Sequence, residues 1–135
     1  MRESWRWFGP NDPVTISDIR QTGATDIVSG LHQAATGEVW QIDAIREHQS
    51  LIESDNRTMS SLFWSVVESI PVHEDIKLGK DGCQVLIQSW IETMENLAHC
   101  GIKTICYNFM PVIDWTRTDL AYRLNTGAFA LRFDQ

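Results

Sequence analysis

The sequence predicts an α/β fold built on a parallel β-sheet, and two observations carry this prediction. First, short apolar segments rich in β-branched and aromatic residues alternate with longer segments whose apolar residues recur at helical spacing. Second, residues 62–67 are almost continuously apolar, which is typical of a parallel strand covered on both faces. Strands and helices that alternate in this way form right-handed βαβ units, so we expect the strands side by side in chain order.

Length and composition are those of one folded domain or part of one. The chain has 135 residues, 43% of them hydrophobic, which is ample for a packed core. Its formal net charge of −7 disfavours a nucleic acid or an anionic membrane as a partner. No apolar run approaches the roughly 20 residues that span a bilayer, and the first residues lack the apolar core of a signal peptide. The three cysteines show no CxxC spacing and suit a reducing compartment, so we expect a cytoplasmic protein.

The first strand is predicted over residues 4–8, an aromatic segment of alternating polarity that stops at Gly9. A short helix should follow it. Asp12 is the expected N-cap, and Pro13 suits the first helical position, where a missing N–H costs nothing. Gly23 is expected to end this helix.

The second strand is predicted over residues 26–31, and a second helix begins at Trp40 or Gln41. Apolar residues recur along that helix at helical spacing. They are Ile42, Ile45 and Ile52. Residues 54–61 are polar and without periodicity, which indicates a surface loop before the third strand.

The third strand ends at Glu68, and the loop beyond it carries ionisable residues at 73–75. The longest helix is predicted over 81–99, with Gly101 as its stop. Its apolar stripe is Ile87, Ile91, Met94 and Ala98, widened by Leu86, Trp90 and Leu97. The fourth strand is predicted over 102–107. After it the pattern changes, and two extended segments at 118–124 and 128–133 indicate a β-hairpin outside the sheet.

Polar side chains follow the ends of all four predicted strands, where α/β folds place their ligands. Our candidates for contact with a substrate, or for support of a residue that makes it, are Asn11, His32, Glu68, His73, Asn108 and Arg117. His32 and Asn108 could equally cap loop backbone. Arg117 could clamp a carboxylate or pair with Asp114 or Asp119. His48 and His99 lie within predicted helices and are interpreted as structural.

Several motifs resemble the D-mannonate dehydratase family. They are RWFGPNDPV, GLH, GEVW, WSVVESIPVHEDIK, CYNFMPVIDWTRTDL and ALRFDQ. The resemblance covers nearly the whole chain but only the amino-terminal part of the family. It implies a metal-dependent hydro-lyase of hexuronate breakdown, which converts D-mannonate to 2-keto-3-deoxy-D-gluconate and water on a TIM barrel similar to that of xylose isomerase.

The same resemblance implies a partial TIM (β/α)8 barrel, with residues 1–135 as one incomplete domain and the hairpin at 118–133 as an insertion. The family's cofactor is Mn2+ or Fe2+, held by side chains of later strands, so we expect no metal ligand in this chain and no activity from it alone. D-mannonate is the expected partner, and formation of a homo-oligomer stays open. Residues 55–61 and 82–89 depart from the family pattern, which puts local packing in doubt more than chemistry.

Two further functions stay open from the sequence. A sugar isomerase or epimerase would use the same barrel and a divalent metal, and a non-catalytic remnant or interaction module would use neither. Dehydration of a sugar acid needs a base, an acid and a cation that stabilises the enediolate, and a partial barrel would supply only part of this set.

Overall fold

The computed structural model describes residues 1–54, 60–113 and 115–134, and strands alternate with helices along most of this length. The sequence-predicted loop at 54–61 therefore lies largely outside the described residues. In chain order the elements are β1 (Ser4–Arg6), α1 (Ile16–Gln21), β2 (Asp26–Ser29), α2 (Ile42–Glu53), β3 (Phe63–Glu68), α3 (Glu74–Lys77), α4 (Gln84–His99), β4 (Thr104–Cys106), β5 (Asp119–Arg123) and β6 (Phe129–Arg132).

The strands β1 to β4 form one parallel sheet in chain order, which confirms the predicted topology. β1, β2 and β4 are shorter than predicted, whereas β3 begins at Phe63 and ends at Glu68, the predicted end. A β-bulge interrupts β3: Ile27 pairs with Trp64, but Val28 pairs with Val66, which leaves Ser65 as an extra residue. The mixed α/β class with a parallel sheet is thus established.

Helices cover one face of the sheet in the described part of the chain. Side chains from this face and from the helices form the core, and they include Ile19, Ile27, Ile45, Ile52, Trp64, Val67 and Leu97. On the opposite face Phe63 is 46% exposed, and Thr104 and Cys106 are exposed as well. The prediction that β3 is covered on both faces is therefore wrong for the described residues. Apolar side chains are present on both faces, but only one face has a layer packed against it.

The start of α1 differs from the prediction. Thr15 caps this helix, because its hydroxyl accepts a hydrogen bond from the Asp18 N–H at 3.2 Å while the Asp18 carboxylate accepts one from the Thr15 N–H at 3.0 Å. Asp12, the predicted cap, instead accepts hydrogen bonds from two backbone N–H groups around the preceding turn, at 2.8 and 2.9 Å. Pro13 lies in that turn and not in the helix. Gly23 follows the helix end with φ of 84°, as expected.

The helix α4 begins at Gln84, later than predicted, and Trp90, Met94 and Leu97 of the predicted stripe pack in or against the core. Thr93, which was not predicted, is also fully buried on this face. Ile87, which we expected in the stripe, is 37% exposed. Thr93 is buried because its hydroxyl accepts a hydrogen bond from the Trp40 N–H at 3.1 Å and donates one to the Ser89 carbonyl at 2.9 Å. No helix within the described ranges is long and apolar enough to cross a membrane.

The strands β5 and β6 pair with each other in antiparallel fashion and form a separate two-stranded sheet, as predicted. Leu124 donates its N–H to the Ala128 carbonyl at 2.8 Å, and Gly127 takes a φ of 89° in the turn. The guanidinium of Arg132 lies over the ring of Tyr122, 4.2 Å from its centre. This stacking contact and the hydrogen bond at the turn connect the two strands of the hairpin.

Candidate functional site

The carboxyl ends of the four parallel strands lie along one edge of the sheet, and most of the predicted candidates follow these ends. The strands end at Arg6, Ser29, Glu68 and Cys106. His32 lies in the loop after β2, His73 in the loop after β3, and Asn108 directly after β4. Because parallel strands end at a common edge, this topology brings side chains from distant parts of the sequence to one side of the molecule.

Glu68 forms an ion pair with Arg6, and the distance from Arg6 Nη1 to Glu68 Oε1 is 3.0 Å. The two residues lie two strands apart on the helix-free face, since Arg6 pairs with Val28, Val28 pairs with Val66, and Glu68 is two residues further along β3. Their side chains are 46% and 37% exposed. Sequence reasoning selected Glu68 as a candidate but did not identify Arg6. The pairing of Arg6 with Glu68 depends on how three strands align, and no single segment of the sequence reveals that alignment.

Two aromatic rings extend this ion pair along the edge. The guanidinium of Arg6 lies over the Phe8 ring, 4.7 Å from its centre. The Phe8 ring in turn lies 5.9 Å from the imidazole of His32, and His32 is exposed. We call Arg6, Phe8, His32 and Glu68 the edge cluster. It combines a fixed cation, a carboxylate and an imidazole beside an apolar ring, which suits a polar ligand that carries a negative charge.

His73 caps a short helix, α3, where we expected a loop. Its Nδ1 accepts a hydrogen bond from the Asp75 N–H at 3.1 Å, so the ring proton of the neutral imidazole lies on Nε2. Histidine is not among the usual capping residues, which is why the sequence did not reveal this helix. The Asp75 carboxylate pairs with Lys80 at 2.6 Å, and the hydrogen bond from Lys80 lowers the pKa of Asp75. His73 thus fixes the backbone at the start of α3, and its Nε2 can make another contact.

Glu74 connects α3 to the segment that follows β4. Its Oε1 accepts a hydrogen bond from the Val112 N–H at 2.5 Å, and this bond is the main reason that the pKa of Glu74 is lowered. Val112 has a φ of 67°, which is uncommon for a β-branched residue. The loops after β3 and β4 are therefore joined directly beside His73.

The structure does not bring Asn11, Asn108 or Arg117 into the edge cluster. Asn11 is exposed and lines a separate cleft of about 250 Å³ against α2. Asn108 is half-buried in the segment after β4. Arg117 lies over the Trp115 ring at 5.5 Å and donates a hydrogen bond to the Thr116 carbonyl at 2.7 Å. Contact of these three residues with a substrate stays a prediction.

Of the two acidic residues proposed as partners of Arg117, Asp119 is described by the structure. Asp119 accepts a hydrogen bond from the Ala121 N–H at 2.8 Å. Asp114 lies outside the described residues.

His48 lies behind the sheet, in the core, and not at the edge. Its imidazole packs against the rings of Trp7 and Trp64, with centres 5.3 and 4.7 Å away. Its Nε2 is 3.0 Å from the Ser29 hydroxyl oxygen, and that hydroxyl donates its proton to the Trp7 carbonyl at 2.7 Å. His48 must therefore be the donor to Ser29, with its proton on Nε2. Burial, together with the charge of His32, lowers the pKa of His48 to about 4.

The described residues do not fit a complete Mn2+ or Fe2+ site. No group of three or more His, Cys, Asp or Glu side chains within residues 1–54, 60–113 and 115–134 converges as such a site requires. In the edge cluster His32 and Glu68 are the potential ligands, and Glu68 is engaged by Arg6. We therefore derive no chemical step through a metal from these residues.

Comparisons with known proteins point to one family. The family model for D-mannonate dehydratase (UxuA) matches residues 1–135. The chain is 58% identical to the mannonate dehydratase of Chromohalobacter salexigens and 57% identical to that of a Marinomonas species. Each comparison covers 100% of this chain and 33% of the relative, so the chain spans about a third of the length of these proteins.

A solved structure agrees with these relatives. The crystal structure of mannonate dehydratase from Streptococcus suis serotype 2 matches with a TM-score of 0.89 and 40% sequence identity. The match covers 97% of this chain and 36% of that chain. The described sheet, helices and hairpin thus correspond to about a third of that structure.

Proposed function

Because the chain belongs to the D-mannonate dehydratase family, we propose that it supplies the amino-terminal part of a hydro-lyase that converts D-mannonate to 2-keto-3-deoxy-D-gluconate and water. The observation that supports this proposal best is the parallel sheet in chain order, whose carboxyl edge carries Arg6, His32 and Glu68. In a TIM barrel the active site lies at this edge. We propose that β1 to β4 are the first four strands of such a barrel, that residues 1–135 form one incomplete domain, and that the hairpin at 118–133 is an insertion.

The edge cluster supplies groups that dehydration of a sugar acid needs. The imidazole of His32 is exposed and can exchange a proton with a substrate, and the Glu68 carboxylate can accept hydrogen bonds from hydroxyl groups. Asn11, His73, Asn108 and Arg117 stay candidates for further contacts. In the whole protein, Mn2+ or Fe2+ would supply Lewis-acid stabilisation of the enediolate, and we place its ligands outside the described residues.

We also propose that the whole protein works in the cytoplasm. The cysteines of the described chain are free thiols, with Cys83 buried, Cys100 half-buried and Cys106 exposed. Free thiols in this number suit a reducing compartment. A thiol-labelling experiment in intact cells would contradict this placement if the exposed Cys106 reacted with a reagent that does not cross the inner membrane.

The proposed function can be tested with a chimera. Residues 1–135 replace the matching third of the Chromohalobacter salexigens enzyme, and the 135-residue chain alone serves as the comparison. We expect the chimera, supplied with Mn2+, to form 2-keto-3-deoxy-D-gluconate from D-mannonate. The chain alone should form none, because it lacks the later strands and the metal ligands placed there.

The product distinguishes the alternatives. An aldose or a ketose in place of the keto acid would favour an isomerase or epimerase. A folded chimera without any turnover would contradict the proposal and favour a non-catalytic module. Metal-dependent turnover by the 135-residue chain alone, abolished by Glu68→Gln, would show that the metal site lies within this chain.

A further inference from the structure

Arg6 is held in a fixed position at the edge of the sheet but keeps donors for another partner. Its Nη1 contacts Glu68 Oε1 at 3.0 Å, and its guanidinium plane lies 4.7 Å from the centre of the Phe8 ring. A guanidinium has five N–H donors arranged as a planar fork, and one contact through Nη1 leaves most of them for another group. The side chain is 46% exposed, so a ligand can reach it.

We propose that Arg6 binds the carboxylate group of the substrate and so selects sugar acids over neutral sugars. This inference rests on the proposed function, since it assigns a residue to the anionic end of the same substrate. A guanidinium fork matches the two oxygens of a carboxylate, and a positioned fork loses little conformational entropy when it binds.

The charge distribution of the chain favours Arg6 for this role. With a formal net charge of −7, the chain as a whole repels an anion, so a local cation is needed to bind one. Other cations with described partners lie elsewhere. Arg2 pairs with Asp26 at the amino-terminal ends of the strands, while Lys77 and Lys80 pair with acidic residues of α3. Arg6 is the cation of the edge cluster.

Glu68 is a positioning residue in this arrangement. Its Oε1 holds Arg6, and its second oxygen can accept a hydrogen bond from a hydroxyl of the substrate. If Arg6 is neutralised, the Glu68 carboxylate is left without its cation and faces the substrate carboxylate directly. Loss of Arg6 should therefore weaken binding of an anion much more than binding of a neutral polyol.

The test uses the chimera without added metal, so that the substrate is not consumed. Dissociation constants are measured by calorimetry for D-mannonate and for D-mannitol, a neutral polyol with the same carbon chain. We expect Arg6→Gln to weaken binding of D-mannonate by about 10-fold to 100-fold, the range for one charge-assisted contact. Binding of D-mannitol should stay within about 2-fold, as expected when no charged contact is lost. Arg6→Lys should recover part of the affinity, because it keeps the charge but not the fork.

Two further variants serve as controls, one for the loss of a positive charge elsewhere and one for misfolding of the single variant. Arg123→Gln removes the same charge from an exposed position on β5 and should change neither constant. The double variant Arg6→Gln with Glu68→Gln leaves no unpaired charge, so it should fold even where the single variant does not. It should lose less affinity for D-mannonate than Arg6→Gln does, because the repulsion from Glu68 is removed, but still more than it loses for D-mannitol.

The outcomes separate this inference from the proposed function. Unchanged binding of D-mannonate by Arg6→Gln, or equal losses for D-mannonate and D-mannitol, would overturn the assignment of Arg6 while leaving the lyase activity of the chimera intact. A wild-type chimera that binds D-mannonate without turning it over would contradict the proposed function alone. A folded chimera that binds neither compound would contradict both.

Discussion

His48 shows how burial sets the charge of one side chain and, through it, the pH dependence of stability. The unfolded imidazole takes up a proton below about pH 6.5, whereas the folded one does so only near its lowered pKa of about 4. Between these values the unfolded state binds more protons than the folded state, so stability falls as the pH falls through this window. The slope from one such group reaches about 1.4 kcal/mol per pH unit.

We predict that the chimera loses thermal stability between pH 6.5 and pH 4, and that His48→Gln removes part of this loss. Glutamine keeps an N–H for the Ser29 hydroxyl but does not titrate. The measurement is Tm across this pH range. His99→Gln, which removes an exposed histidine at the end of α4, is the matched control and should keep the full pH dependence. Equal slopes for His48→Gln and the unchanged protein would show that His48 does not carry the effect.

At the scale of the element, α4 depends on a polar residue in its inward-facing stripe. Thr93 accepts the Trp40 N–H, and Asn96 on the same helix donates to the Trp40 carbonyl at 2.9 Å. Both backbone groups of Trp40, just before α2, are thus bonded to α4. This pair of hydrogen bonds fixes the position of one helix against the chain segment that starts the other.

We predict that Thr93→Val destabilises the chimera by about 1 to 3 kcal/mol, because the buried Trp40 N–H loses its acceptor while the side-chain volume is nearly unchanged. The free energy of unfolding is measured by urea titration. Thr93→Ser is the matched control, since it keeps the hydroxyl and loses one methyl group. A larger loss for serine than for valine would indicate that packing, and not the hydrogen bond, determines the role of Thr93.

The elements also show what the sequence could and could not predict. Periodicity and β-branched content located every strand of the sheet and both long helices, because these signals are repeated within each segment. The inward-facing stripe of α4 was predicted except for Thr93, because a search for apolar residues passes over a buried polar one. The pairing of Arg6 with Glu68 was missed because it depends on the register of three strands. The start of α1 was misplaced because Asp12 also suits an N-cap, and α3 was missed because histidine is not a usual capping residue.

At the scale of the whole molecule, the helix-free face and the free edge of β4 are the features of the described chain that favour association of copies. Phe63 is exposed on that face, and β4 pairs on one side with β3. Exposed apolar surface beside an unpaired strand edge promotes association of copies.

We predict that the 135-residue chain, purified alone, elutes as a species larger than its monomer mass of 15.4 kDa. Light scattering after size-exclusion chromatography gives the mass. Thr104→Lys, which adds a charge on the uncovered face of the edge strand, should reduce association. Thr126→Lys in the hairpin turn is the matched control and should not. A uniform monomer for the unchanged chain would refute this expectation.

The β3 bulge also constrains how insertions and deletions can accumulate in this part of the chain. Side chains of a strand alternate between its two sides, and the bulge absorbs the extra residue Ser65, so Trp64 and Val67 both face the core although they are three residues apart. If Trp64 kept its place in the core, a β3 that ran without the bulge would turn Glu68 toward the helices and Val67 toward Arg6. Sequences that diverge from this one can therefore exchange side chains in β3 with some freedom and can lose the bulge residue itself. An insertion or deletion that no bulge absorbs would instead exchange the apolar and the ionic side of the strand.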